Sequence, residues 1–227
     1  MAAGLSGAHN ESLRTAFLAQ LPPMAKVVVA TDSYTMLLGA HAGDPGMIVA
    51  AGTGSVGEAL YADGRHAVVG GWGFPVGDKG SGAWMGLNAV NVAQAAMDGS
   101  APAGTLARCI WTHCGATRQD MAEWVARSGQ FAYAQLAPLV FDCASSDSAA
   151  AELLAQATHE LESIAYALDP RRTLPIVVCG SIGEMLKDRM TSDLRERFAL
   201  AAMGPAEGAL LMLKKSLESM HEFREDS

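Results

Sequence analysis

The chain contains no apolar run approaching the roughly 20 residues that a helix needs to cross a bilayer. Its start has no basic stretch followed by an apolar core, so no signal peptide is expected. Positive charge is scarce: 16 Lys and Arg stand against 24 Asp and Glu, a net charge of −8. That balance argues against nucleic acid and anionic membrane surfaces as partners. It leaves phosphate ligands open, because backbone N–H groups, helix N-termini and divalent ions hold phosphates without basic side chains. Cysteine is sparse, at Cys109, Cys114, Cys143 and Cys179. Cys109 and Cys114 are separated by four residues, not by the two of the usual metal-binding pair. Reduced thiols in a cytoplasmic protein are the plain expectation. There is no internal repeat, linker or low-complexity segment.

Half of the 227 residues are hydrophobic, which allows a sizeable core in one large domain or two small ones. MAAGLSGAHN reads as the end of a strand running into a turn. Glu11 to Leu21 reads as a short helix stopped by Pro22 and Pro23. Val27 to Ala30 lacks polar alternation, which predicts a strand buried on both faces. Ser33 to Ala42 reads as helical, with Met36, Leu37 and Leu38 inward. Met47 to Ala51 is a second buried strand, and Val56–Tyr61 and His66–Val69 flank Asp63-Gly64, a strong hairpin signal. Ser81 caps a helix running to about Asp98. From Ala103 to Leu168 the text is helical, with Leu153, Leu154, Ala157, Leu161, Ile164 and Leu168 on one stripe. Pro175 to Cys179 is a further buried strand, Gly180-Ser181 turns it into a helix, and a last helix runs from Pro205 to about Met220 before a solvated tail.

Four pieces stand in order between Thr31 and Ser81. Asp32 follows an apolar strand, at the end where open α/β sheets bind ligands. It could take a proton from a substrate hydroxyl or merely cap the next helix with Ser33 as its first residue, and position alone leaves both open. Gly52, Thr53, Gly54 and Ser55 form a small-residue turn that lets backbone and hydroxyls approach a phosphate. A plain hairpin turn fits equally. It is not a P-loop, because no Gly-Lys-Ser/Thr follows. Trp72, between Gly71 and Gly73, is either a platform for a sugar face or a core tryptophan. Asp78 is either a capping acid or an acceptor for sugar hydroxyls.

Taken together, TDSYTMLLGA, IVAAGTGS, GGWGFPVGDKGSGAW and VVCGSIGEML resemble the BadF/BadG/BcrA/BcrD ATPases, and within them the N-acetylglucosamine and glucosamine kinases of the actin, Hsp70 and sugar-kinase superfamily. The resemblance covers nearly the whole chain. It implies an α/β, ribonuclease-H-like (actin-like ATPase) two-lobe fold, with residues 1–44 as the remnant of the N-terminal lobe, 45–204 as the C-terminal lobe, and 205–227 as helix and tail. It implies phosphorylation of an amino sugar at the 6-hydroxyl by ATP with Mg²⁺. By position, Asp32 falls on the catalytic base. Ser55, Val56, Gly71, Trp72, Gly73 and Asp78 fall on the sugar site. Gly52, Thr53, Gly54, Ser146, Gly180 and Ser181 fall on the ATP site. Family members often form dimers, so the resemblance implies a homodimer, located in the cytoplasm.

The chain departs from the family pattern in three places. Asp78-Lys79-Gly80 stands where the family commonly has Asp-Glu-Gly, and Ser146 replaces a glycine. No D-x-G-G-T-type phosphate motif precedes Asp32. The expectation is a truncated first lobe, an exposed sheet edge favouring poor solubility or dimerisation, and little kinase activity. Two rivals remain. One is an ATPase activating a 2-hydroxyacyl-CoA dehydratase or benzoyl-CoA reductase, which would hold an iron–sulfur cluster through cysteines. The other is a non-catalytic sugar-binding regulator on the same fold.

Overall fold

The computed structural model describes residues 1–22 and 26–225, with side chains to residue 218. Pro23, half of the expected helix stop, and the last two residues of the expected tail lie outside the described residues. The strands are β1 (Ala2–Gly4), β2 (Val28–Ala30), β3 (Gly46–Ala51), β4 (Ser55–Leu60), β5 (His66–Gly70) and β6 (Ile176–Cys179). The helices that matter for the site are α1 (Glu11–Ala19), α2 (Asp32–Ala40), α3 (Gly82–Met97), α4 (Thr105–Cys114), α5 (Arg118–Arg127), α6 (Gln130–Ala134), α7 (Ala137–Cys143), α8 (Ser148–Leu168), α9 (Ser181–Leu186), α10 (Ser192–Arg195) and α11 (Pro205–Glu225). The last helix continues past the expected end at Met220.

Two sheets form. β1 and β2 pair in parallel, and β5-β4-β3-β6 make a second sheet of four strands. The β3–β4–β5 part is the meander that the Asp63-Gly64 turn signals, while β6 joins β3 in parallel, with Met47 opposite Ile176 and Ala50 opposite Cys179. β3 and β6 therefore end side by side. β2 differs from the sequence reading: all three residues are only half-buried. Among the described residues it pairs with β1 alone, so its apolar run is not enclosed as a central strand would be.

Period-two alternation divides the second sheet into two faces. Met47, Val49, Ala51 and Ala59 point into the main core with α3, α4, α7 and α8. Gly57 lies on that face because α8 leaves no room for a side chain: a Cβ there would meet Ile164 and Leu168. Every residue of the predicted α8 stripe is buried. Ile48, Val177 and Leu60 point the other way, onto Leu37 and Ala40 of α2. α11 then packs across α2 and β1. The two helices touch through glycines: a Cβ on Gly208 would strike the Thr35 carbonyl, and one on Gly39 would strike that of Gly204.

Candidate functional site

The Gly52–Ser55 turn is held on three sides. The carbonyls of Gly52 and Thr53 accept hydrogen bonds from the N–H groups of Gly82 (2.8 Å) and Ala83 (3.2 Å), the first residues of α3. Orphan donors of a helix N-terminus are thus spent on fixing the turn. Ser55 Oγ donates to the Lys79 carbonyl at 2.7 Å, and the Gly71 N–H donates to the Ser55 carbonyl at 3.0 Å. The outward side stays free. Thr53 is exposed, and a Cβ on Gly52 would have nothing within 4 Å. A phosphate could approach the backbone there without displacing any side chain.

Asp78 lies directly behind this turn. It is 7% exposed, and a Cβ on Gly54 would sit 2.7 Å from its Oδ2. Its backbone is left-handed, at φ 56°, a conformation that favours glycine but that Asp tolerates. The helix cap is Ser81, whose Oγ accepts from the Trp84 N–H. The capping alternative for Asp78 therefore falls away. Its Oδ2 accepts a hydrogen bond from Gln130 Nε2 at 2.7 Å, which leaves Oδ1 for another donor. Gln130 opens α6, 52 positions away in the chain, and nothing in its local sequence marks it.

Trp72 is 89% exposed, and Val76 beside it is 87% exposed. The core alternative for the indole is excluded. A Cβ on Gly71 would meet Val56 Cγ2 at 3.1 Å, so this loop lies on the α2 face of β4, next to Val56. Asp32 reaches the same face. Thr31, not Asp32, caps α2, its Oγ1 accepting from the Tyr34 N–H, and Asp32 is the exposed first helical residue. The turn is fastened to β4 at Glu58, two residues from Val56, or roughly 7 Å along the strand. Val56, Gly71 and the Gly52–Ser55 turn therefore cluster at one end of the second sheet, and Asp32 lies over the same face, its neighbours Thr31 and Ser33 bonded to Glu58 in mid-strand.

Gly180 and Ser181 are also at that end. Gly180 has φ 82°, and a Cβ on it would strike the Ala51 carbonyl, so β6 leaves the sheet pressed against the end of β3. Both residues are exposed. Ser146 is elsewhere. It is exposed between α7 and α8, next to Asp147, which caps α8 and also accepts from the Leu106 N–H of α4. The α8 backbone meets Gly80 only at Ala157, nine residues beyond Ser148, about 14 Å of helix rise. Ser146 thus stands apart from the cluster. Among the described residues, no group of three or more His, Cys, Asp or Glu side chains is placed to hold a metal ion, and no helix is long and apolar enough to cross a membrane.

The model of the BadF/BadG/BcrA/BcrD ATPase family matches residues 1–212. The chain belongs to the BadF/BadG/BcrA/BcrD ATPase family. Within that family it is 33% identical over 219 residues to the glucosamine kinase of Vibrio cholerae, covering 96% of this chain and 74% of the relative. It is 34% identical over 96 residues to the N-acetylmuramic acid/N-acetylglucosamine kinase of Clostridium acetobutylicum, covering 42% of this chain and 31% of that one. A Chromobacterium violaceum structure assigned as a candidate N-acetylglucosamine kinase superposes with a TM-score of 0.89 at 45% identity, over 94% of this chain and 75% of the other. A Porphyromonas gingivalis structure at 22% identity and a TM-score of 0.66 shares the fold. The mixed α/β architecture is thus that of the family's actin-like sugar kinases.

Proposed function

We propose that this chain phosphorylates an amino sugar, N-acetylglucosamine or glucosamine, at the 6-hydroxyl with ATP as donor. The observation that carries this reading is the Gly52–Ser55 turn, open on its outward side, with Asp78 buried directly behind it, while Asp32 stands exposed at the start of α2 over the same sheet. A sugar lying on Trp72 would place hydroxyls against Oδ1 of Asp78, the oxygen that Gln130 leaves open. Asp32 would accept the proton of the attacking hydroxyl, the role of the catalytic base in phosphoryl transfer. Gly52, Thr53 and Gly54 would take the phosphates, with Gly180 and Ser181 on the nucleoside side. Ser146 would reach only a part of the nucleotide remote from the transferred group. A divalent ion such as Mg²⁺, held chiefly by the nucleotide's own phosphates, would neutralise charge on the group being transferred. The rest of the work, on this reading, is positioning.

The thiols favour the kinase over the cluster-bearing activator. Cys114 is buried, and Cys143, also buried, has its Sγ against that of Cys109 at 3.8 Å, so none of the three stands in an open turn of the kind that holds a cluster between subunits. Cys179 lies against Met36 Sδ at 3.0 Å rather than in an open turn. Isothermal titration with N-acetylglucosamine and with glucosamine, with and without Mg·ATP, followed by a coupled ADP-release assay, tests the proposal. Sugar binding with ADP release is expected. Sugar binding without ADP release would favour the regulatory alternative, and no binding to either sugar would leave the family assignment alone.

A further inference from the structure

Glu58 is 1% exposed, in the middle of β4, and no role assigned so far uses it. A carboxylate in that position costs a large desolvation free energy unless donors surround it. The donors present are specific. Thr31 Oγ1 donates to Oε1 at 3.2 Å, and Ser33 Oγ donates to the same oxygen. His66 Nε2, on a half-exposed ring, lies 2.7 Å from Oε2. The ring of His66 also meets that of Tyr34 edge-on at 4.7 Å between centroids. Thr31 and Ser33 are the two residues that flank Asp32. A leucine would satisfy this apolar face, beside Ile48 and Leu60, without any desolvation cost.

We infer that Glu58 is a positioning residue for Asp32: one carboxylate oxygen holds the residues on both sides of the candidate base, and His66 anchors the other oxygen from β5. The inference rests on the kinase reading of the site. Among the described residues, the Asp32 side chain has no hydrogen-bond partner beyond the neighbouring Ser33 N–H at 3.1 Å. Its place relative to the Gly52–Ser55 turn is therefore set by its backbone, and the backbone is tied to the second sheet through Glu58. Helix capping adds to this, because Thr31 Oγ1 both donates to Glu58 and accepts from the Tyr34 N–H. The burial of Tyr34 and, after it, the charge of Glu58 push the Tyr34 phenol up, as expected for a carboxylate facing this turn.

The test follows amide hydrogen exchange residue by residue together with steady-state kinetics, in the wild type, Glu58→Leu and Glu58→Gln. Glu58→Leu should speed exchange at Tyr34 and Thr35, whose N–H groups bond to Thr31, by about tenfold or more. It should lower kcat by about 100-fold, the loss that a displacement on the order of 1 Å produces, with KM for the sugar within about threefold. Glu58→Gln keeps the shape and one acceptor oxygen and should bring both readouts back to within about tenfold of the wild type. If Glu58→Leu does not fold, Ser33→Ala removes a donor from the other side of the same link and should lower kcat by about tenfold. A kcat within about threefold of the wild type in Glu58→Leu, or unchanged exchange at Tyr34 and Thr35, would overturn the inference. If the wild type transfers no phosphate, the kinase reading fails, and the exchange data alone decide whether Glu58 holds the Asp32 turn.

Discussion

Asp32 stands exposed on the first turn of α2, its side chain bonded, among the described residues, only to its own neighbour's N–H, whereas Asp78 is buried, left-handed in backbone and hydrogen-bonded by Gln130. The two differ in what holds them. Asp78 is fixed by its own side-chain contacts, so it presents a preset oxygen, as recognition of a hydroxyl requires. Asp32 is fixed through its backbone, which leaves its carboxylate free to receive a proton, as a base requires. If that contrast is functional, substitutions should separate kcat from KM.

Asp32→Asn should have the largest effect. Removing a general base typically costs 10² to 10⁴ in rate, so kcat for the amino sugar is expected to fall by about that factor, with KM changed by less than about threefold. The measurement is coupled ADP release at saturating ATP. A kcat unchanged in Asp32→Asn would move the base elsewhere and dissolve the contrast. Asp78→Asn comes next. Asn tolerates the left-handed backbone, so the substitution removes charge and leaves the turn. A hydrogen bond to a charged group contributes about 1.5–3 kcal/mol, so sugar KM should rise by roughly 10- to 150-fold. Titration calorimetry with the sugar alone should show the same loss, which Asp32→Asn should not.

Much of this site was legible along the chain because its pieces are local. Asp32, Gly52–Ser55, Trp72 and Asp78 each follow a strand, and Asp63-Gly64 gives the hairpin that brings Gly71 beside Val56. Where the sequence left two readings, exposure chose between them for Trp72, and Ser81 took the cap that Asp78 could have supplied. Val27 to Ala30 misled because a short apolar run does not say how many neighbours its strand has, and β2 has one among the described residues. Glu58 and Gln130 were not singled out, for a different reason. Each matters through a partner 25 or more positions away, and a single acid in SVGEAL or a glutamine after a glycine has no local signature. The one available hint was that Glu58 shares its strand face with Leu60, where an exposed charge would be out of place.

Gln130→Leu tests the recognition half of the contrast with the smallest expected effect. It removes the donor to Asp78 Oδ2 and leaves the carboxylate in place. Loss of one supporting hydrogen bond should raise sugar KM by about three- to tenfold and leave kcat within about twofold. The sharper result is the double substitution. If Gln130 acts only by orienting Asp78, then Gln130→Leu should add almost nothing once Asp78 is Asn, because the charged oxygen it orients has gone. Residues in one hydrogen-bond network are non-additive, by about 0.5–3 kcal/mol. Strict additivity of the two KM changes would mean that Gln130 touches the sugar itself, and that Asp78 is held by its left-handed turn alone.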